Sequence, residues 1–428
     1  MRWVPITVLV LLMVGSSCAP APESEPAPDS GMARWWKGNL HTHSFWSDGD
    51  DYPELILDWY KSAGYDFVAL SEHNILAEGE RFVAVADNGG PERLEVYKTR
   101  FPNWVEEKHE GGEHLVRLKT LSEYRTLFEE PDEFLLVSSE EITDEYQGKD
   151  VHVNATNIRE LIEPRGGGSV REVMQNNVDA VLEQRERTGQ AMFPHINHPN
   201  FGWAIKVEDL IALRGEKFFE VYNGHNAVHN EGDELRPSTE RMWDILLAER
   251  LSDDQEIMYG IAVDDAHNYH DLDDQHSNPG RGWVMVRAPS LTAEALVTAM
   301  EAGDFYGSSG VLLESVSVSS EQFSVTVRAE PGVRYRIRFM GTREGYDRSK
   351  EEIQLDDASL LYRYSDDIGE VLAEIEGATG SYRFEGDELY VRAKVVSNKL
   401  KENPYRQGEH EAAWVQPVIP PTPETASP

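Results

Sequence analysis

The sequence predicts an α/β chain that closes with an all-β segment, and three observations carry this. From Trp35 to about Ser309, short apolar runs alternate with helix-length amphipathic stretches, the pattern of strands and helices laid down in turn. Nearly every apolar run ends in, or runs straight into, a His, Glu or Asp. Barrels and open α/β sheets gather polar residues at strand C-termini in this way to build a site. From about Leu312 the pattern changes to period two, which marks half-buried antiparallel strands.

In chain order, the apolar runs predict strands over residues 38–42, 66–70, 134–138, 151–155, 191–194, 218–222, 258–263 and 283–286. Helices are predicted over residues 52–63, 170–188, 239–250 and 292–302, with Pro53 at a natural first-turn position. The insert between Asn74 and Pro131 shows few clear strands, and its length suggests a lid or side wall. Alternation in Phe323-Ser-Val325-Thr-Val327 and over residues 333–339 and 389–395 predicts a small antiparallel β-sandwich. The expected organisation is thus a first domain over residues 35–311, a sandwich over 312–419 and a loose tail over 420–428. Of the 14 histidines only His410 lies beyond residue 311, which assigns the chemistry to the first domain.

The first residues have the order of an export signal: Met1-Arg2, an apolar stretch from Trp3 to Val14, then small residues up to Cys18. The apolar run is short for a membrane span. Cys18 is the only cysteine, so the sequence allows no intrachain disulfide and no thiolate metal site. Gly15-Ser-Ser-Cys18 resembles a bacterial lipobox, which implies that Cys18, closing a lipoprotein-type signal over residues 1–18, is lipidated and becomes the new N-terminus. Residues 19–34, rich in Pro, Glu, Ser and Ala, read as a disordered tether because they have little to bury. The expectation is an exported lipoprotein of a bacterium, periplasmic or on the cell surface, touching the membrane only through Cys18.

The chain has 40 basic and 77 acidic residues, a formal charge of -37. That charge repels nucleic acid and anionic lipid. A small anionic substrate would need metal ions or a few local Lys and Arg side chains to draw it in.

His41-x-His43 at a strand end can place both imidazoles on one face, because residues two apart in a strand point the same way. Alone, such a pair is ordinary core packing more often than a metal site. Here it has company. Asp48 follows in Ser47-Asp48-Gly49, His73 ends Ser71-Glu72-His73-Asn74, and Glu141 begins Glu141-Ile-Thr143. His152, His198 in His198-Pro-Asn200, and Asp265-Ala-His267 complete the set. Imidazole and carboxylate ligands suit zinc, manganese or iron, and a carboxylate such as Glu141 can bridge two ions. A hydroxide shared by such ions attacks an ester at neutral pH without a serine or cysteine nucleophile.

The order His41-Thr-His43-Ser44, Ser47-Asp48-Gly49, Glu72-His73-Asn74, Glu141-Ile-Thr143, His152-Val-Asn154, His198-Pro199, Glu220-Val-Tyr-Asn223 and Asp265-Ala-His267 resembles the PHP superfamily, named for its polymerase and histidinol-phosphatase members. The resemblance spans about Gly38 to Gly310. It implies a distorted seven-stranded, TIM-like β/α barrel with two or three divalent metal ions at the C-terminal ends of its strands. By motif, the first ion would take His41, His43, Glu141 and Asp265, the second Glu141, His152 and His198, and the third Asp48, His73 and His267. The resemblance places catalysis on Glu141, Asp265 and His267. The chain departs from the pattern where Asp48 stands for a histidine and Glu72 for an aspartate. His195 competes with His198, and Asp264 with Asp265. Pro199 and the one-residue spacing to His267 favour His198 and Asp265.

The Lys37-Gly-Asn-Leu-His41 start and the C-terminal β segment look most like an exported, carbaryl-hydrolase-like branch of that superfamily. The superfamily at large implies a phosphoesterase, whereas that branch implies carbamate or amide hydrolysis. A carboxylic-ester hydrolase with the same cluster, or a non-catalytic lipoprotein whose metal holds a ligand, complete the options. Arg281 and Asn74 are candidate substrate contacts, and Arg281 and Lys37 could hold a phosphate or carboxylate.

Overall fold

The computed structural model describes Met1 and residues 33–355 and 360–421. The signal-type segment with Cys18, residues 19–32 of the tether and residues 422–428 of the tail lie outside the described residues. Among the described residues, no helix is long and apolar enough to cross a membrane.

The predicted strands form, and their pairing runs in a circuit. Strand Arg34–Asn39 pairs in parallel with Phe67–Val68, which pairs in parallel with Leu135–Leu136. Each short strand resumes after a break, as Ser71–His73 and Ser139–Tyr146, and these also pair in parallel. Antiparallel pairs then lead to Lys149–Thr156 and Phe193–Ile196, and parallel pairs lead on to Phe218–Asn223 and Tyr259–Val263. A parallel bridge from Thr42 to Ala266 returns the pairing to the first strand. Both Phe218–Asn223 and Tyr259–Val263 are buried at every residue, which is why they read as mostly apolar rather than alternating, with Glu220 interrupting the first.

Helix ends follow local chemistry. Ser169, Ser238 and Thr292 accept from the backbone amides of Glu172, Arg241 and Ala295, which opens helices Val170–Thr188, Thr239–Ser252 and Ala293–Glu301. Helix Pro53–Ser62 starts at Pro53, with Glu54 in its first turn and Lys61 in its last. In the insert, helices Gly90–Arg100 and Leu121–Phe128 flank a three-stranded sheet of Arg81–Ala84, Glu107–Glu110 and Glu113–Leu118. These strands are half-exposed and mix charge with apolar residues, so they carry no clean alternation.

Beyond residue 311, Leu313–Val318, Gln322–Val327 and Thr379–Arg383 form a three-stranded sheet. Its Phe323, Val325 and Val327 share one buried cluster with Ile337, Phe339, Val391, Ala393 and Val395 of the strands facing it. Those facing strands are not a separate body. His410–Val418 pairs with Phe305–Ser308, which pairs with Trp283–Ala288, which pairs with Arg34–Asn39, so one nine-stranded sheet crosses the expected boundary. Period-two alternation marks a half-buried strand but does not say which edge it joins. A buried ion pair adds to this junction: Arg392 donates to both carboxylate oxygens of Asp244, at 2.7 and 2.6 Å.

Candidate metal centre

The structure brings His41, His43, Asp48, His73, Glu141, His152, His198, Asp265 and His267 to the same end of the circuit. His41 Nε2 lies 3.2 Å from Glu141 Oε2 and 3.3 Å from Asp265 Oδ1. His43 Nε2 lies 3.3 and 3.4 Å from the same two oxygens. The second carboxylate oxygen of Glu141 faces His152 Nδ1 at 2.8 Å and His198 Nε2 at 3.4 Å. Asp48 faces His73 Nε2 and His267 Nε2, each at 3.4 Å, and His43 Nδ1 at 3.7 Å. Asp48 is the most open of the group, with 55% of its side chain exposed, whereas His41 and His43 are fully buried.

These donors fit cations. His41 Nε2, His43 Nε2 and Glu141 Oε2 are buried and have no hydrogen-bond partner among the described residues, although buried polar atoms are nearly always paired. Ligands about 2.0–2.1 Å from a tetrahedral zinc ion sit roughly 3.3 Å from one another, close to the spacings here. Together with Asp265, the three atoms form a pocket of lone pairs.

Neighbouring groups fix which nitrogen of each ring points inward. His41 Nδ1 lies 2.7 Å from Glu220 Oε1, which leaves Nε2 as the inward donor. His73 Nδ1 lies 2.5 Å from Thr143 Oγ1, and His267 Nδ1 lies 3.1 Å from the Asp265 carbonyl, so both turn Nε2 toward Asp48. Asn197 Nδ2 donates to Glu141 Oε1 at 2.7 Å, and Asn223 Nδ2 donates to Asp265 Oδ2 at 3.0 Å. Glu72 accepts from Ser44 N at 3.1 Å and from Ser47 Oγ at 2.5 Å, and so braces the loop that carries Asp48. In that loop Gly49 is required, since a Cβ there would meet the His43 carbonyl at 2.4 Å.

The electrostatics describe a charge-alternating cluster. Burial resists protonation of His41, yet Asp265, Glu141 and Glu220 outweigh it and hold the ring well above the ordinary histidine range. Burial likewise opposes ionisation of Glu141 and Asp265, but His41 and the other facing histidines keep both carboxylates well below their usual range. Burial opposes ionisation of Glu220 too, but His41 and His195 bring it down to about 2.

The competing residues take other places. His195 is fully buried with Nε2 on Glu220 Oε1 at 3.2 Å, behind His41 rather than beside Glu141. Asp264 accepts from the Arg281 and Gly282 amides at 2.6 and 2.8 Å and from Tyr60 Oη at 2.9 Å, all structural duties.

Two expected substrate contacts need correction. Arg281 is fully buried, and its guanidinium donates to the carbonyls of Gly224, His276 and Asp273 and to Asn278 and Asn403. A guanidinium consumed by loop carbonyls has no fork left for a phosphate. Asn74 exchanges hydrogen bonds with the backbone of Thr143, at 2.8 Å each way, and so acts as a strand mimic. Lys37 is likewise engaged, lying 3.8 and 4.3 Å from the rings of Tyr65 and Trp283, and burial brings it down to about 8.

Sequence reasoning placed Glu220 and Asn223 in a motif without a role and passed over Asn197. The signal for all three is their position one to three residues from a ligand or on a strand ending in the site.

No family model matches the chain, and no curated protein matches it. The chain is similar to the structure of a two-domain protein from Bacteroides vulgatus, described as containing a PHP-like metal-dependent phosphoesterase. That likeness has 14% identity, 93% coverage of this chain, 99% of the other, and a TM-score of 0.39. It is also similar to a Bifidobacterium adolescentis protein described as a metal-dependent phosphoesterase, with 13% identity, 54% and 87% coverage, and a TM-score of 0.27. A third structure, an amidohydrolase from Chromobacterium violaceum with bound sulfate and no metal, has 13% identity, 54% and 87% coverage, and a TM-score of 0.28.

Proposed function

We propose that this chain is a metal-dependent hydrolase of the PHP superfamily that cleaves a small phosphate ester outside the cytoplasm. One observation carries the reading: four buried donor atoms, His41 Nε2, His43 Nε2, Glu141 Oε2 and Asp265 Oδ1, converge at 3.2–3.4 Å, and three of them have no hydrogen-bond partner among the described residues. The strand circuit closed by the Thr42–Ala266 bridge supports the seven-stave barrel of that superfamily, and the two facing C-terminal sheets support a sandwich grafted onto it.

His41, His43, Glu141 and Asp265 would hold the first divalent ion, and Glu141, His152 and His198 the second. Asp48, His73 and His267 would hold a third. Zinc, manganese and iron all suit this donor set. When bound, the ions supply Lewis acidity and activate water toward the ester. Asp265 is pinned at Oδ2 by Asn223, which turns its Oδ1 toward His41 and His43, where it would hold the first ion. His267 Nδ1 is held by the Asp265 carbonyl at 3.1 Å, so the ring would serve the third ion through Nε2. Glu141 orients the histidines on both of its oxygens.

A second reading has a specific observation behind it. Among the described residues, no Lys or Arg pairs with Asp48, Glu141 or Asp265, and Arg281 is spent on its own loops. A neutral carbamate, amide or carboxylic ester would need no such cation. Metal analysis of the purified chain, with chromogenic phosphomonoester, phosphodiester, carboxylic-ester and carbamate substrates, decides between the two. Two or three ions per chain with phosphoester turnover is the expected result. Carbamate turnover with every phosphoester inert would overturn it, as would a His41→Ala protein with full metal and full activity.

Export and lipid anchoring belong to the same proposal and rest on the order of residues 1–18. Fatty-acid labelling that is lost in Cys18→Ala, with release of the chain from membranes, is the expected outcome.

A further inference from the structure

The turn that leaves strand Phe218–Asn223 carries His225 to the mouth of the site, and its ring is held in a way that fixes its chemistry. The Ala227 amide donates to His225 Nδ1 at 3.1 Å, and the His225 amide donates to Asn223 Oδ1 at 2.8 Å. Because Nδ1 accepts, the neutral ring must carry its proton on Nε2. A second proton, on Nδ1, would set two donors against each other. Nε2 has no hydrogen-bond partner among the described residues, and the ring is half-buried. The ring sits 5.4 Å from that of His267, edge on, and 5.9 Å from Phe201, which in turn lies 5.0 Å from His198. His225 therefore stands between the histidines of the two outer groups, with a donor that no protein group uses.

We propose that His225 Nε2–H is a catalytic hydrogen-bond donor to an oxygen of the bound ester, stabilising the charge that develops there without giving up its proton. The inference rests on the hydrolase reading above. Donation without transfer follows from the Ala227 contact: releasing the Nε2 proton would leave an imidazolate, and charging the ring first would break that contact. A neutral donor also suits its surroundings, since an imidazolium beside a cluster built for cations would repel them. Preorganised donors of this kind are worth most where water is excluded. The substrate class this implies is an ester whose attacked centre carries at least one oxygen that gains charge on the His225 side, as a phosphoester does.

The test compares metal-loaded wild type, His225→Ala and His225→Gln on aryl and alkyl phosphate esters, counts bound metal in each, and titrates each with inorganic phosphate. His225→Ala is expected to keep its metal and lose on the order of 10- to 100-fold in kcat/KM. The loss should be equal for aryl and alkyl leaving groups, with an unchanged pH profile. Phosphate should bind His225→Ala more weakly, and His225→Gln, which offers a neutral N–H, should recover part of both losses. A loss that grows with leaving-group pKa, or that removes a limb of the pH profile, would make His225 a proton donor and overturn the proposal. Loss of metal, or unchanged turnover, would overturn it too. If wild type cleaves no phosphoester, the hydrolase reading fails by itself, and the phosphate titration still decides: equal affinity of wild type and His225→Ala refutes the donor.

Discussion

Glu220 touches no expected ligand pocket directly, yet its replacement should empty the first one. Its carboxylate accepts four hydrogen bonds: from His41 Nδ1 at 2.7 Å and His195 Nε2 at 3.2 Å on one oxygen, and from the His198 amide at 2.7 Å and Asn223 Nδ2 at 2.8 Å on the other. Glu220→Gln keeps the shape and turns one oxygen into a donor. If the new NH2 faces His198 and Asn223, two donor pairs collide with no way to relax, at about 1–3 kcal/mol for each buried group left unpaired. If it faces the rings, His41 escapes the clash by moving its proton from Nδ1 to Nε2. That places a hydrogen on the atom which faces Glu141 and Asp265, so the milder structural outcome is the one that removes a metal ligand. Supporting groups of this type are worth about 10- to 100-fold in metal affinity, or roughly 1.4–2.8 kcal/mol. Competition against a chromophoric chelator measures the affinity, and thermal melts of the metal-free proteins check that the fold survives. Metal affinity equal to wild type in a folded Glu220→Gln protein would refute the reasoning, because it would mean that the Glu220 contact does not set the His41 tautomer.

Further outcomes follow from the same geometry. Metal binding should release protons near neutral pH, because His41, His43, His73 and His267 are all held above the ordinary histidine value by facing carboxylates against the effect of burial; calorimetry in buffers of different ionisation enthalpy reads the number, and no buffer dependence would contradict it. In the metal-free protein those histidines contribute stability that is fully present below about pH 6.5 and lost as pH rises through their folded values. Glu141 and Asp265 contribute stability present above about pH 4 and lost as pH falls through their depressed values. Denaturant midpoints should therefore peak in weak acid without metal and shift to higher pH with it. A metal at 100 times its dissociation constant should add about 2.7 kcal/mol to stability, lost on chelation. Arg281→Ala should cost about 2–4 kcal/mol by stranding the carbonyls it caps, with KM of the remaining folded enzyme unchanged; a raised KM at normal stability would restore it as a substrate contact. Arg392→Ala should cost about 3–5 kcal/mol, since it leaves Asp244 charged and buried, and a small effect on the urea midpoint would show the junction to be weak.

Much of the site is legible in the sequence because its ligands lie at strand ends, where periodicity already points. His41, His73, Glu141 and Asp265 each follow a short apolar run, and the turn from strand to loop is a local event. What is not legible is pairing and support. Ser71–His73 and Ser139–Tyr146 are strands because a parallel partner lies alongside, not because their polar residues favour one. Glu220 sits inside an apolar strand, where a buried carboxylate reads as an anomaly until His41 and His195 are found across the sheet. Arg281 misled for a related reason: an arginine between two glycines looks available, and only tertiary contacts show both of its terminal nitrogens bonded to loop carbonyls and asparagine side chains. The insert escaped detail because its strands Arg81–Ala84, Glu107–Glu110 and Glu113–Leu118 are largely half-exposed and mix charged with apolar residues, so no clean alternation marks them.

The nine-stranded sheet also dictates when the protein can exist. Arg34–Asn39 needs Trp283–Ala288 on one side, and that strand reaches the last described strand, His410–Val418, through Phe305–Ser308. An emerging chain therefore holds its first strand half-paired until Trp283–Ala288 has been made, and the sheet beyond it stays incomplete until His410–Val418 follows; such long-range pairings form slowly. A release of the C-terminal strand by a cut between Lys401 and His410 would expose the edge at Phe305–Ser308 and propagate toward the strand that leads into His41. Synthesis, proteolysis and ligand geometry are thereby coupled through one continuous ladder.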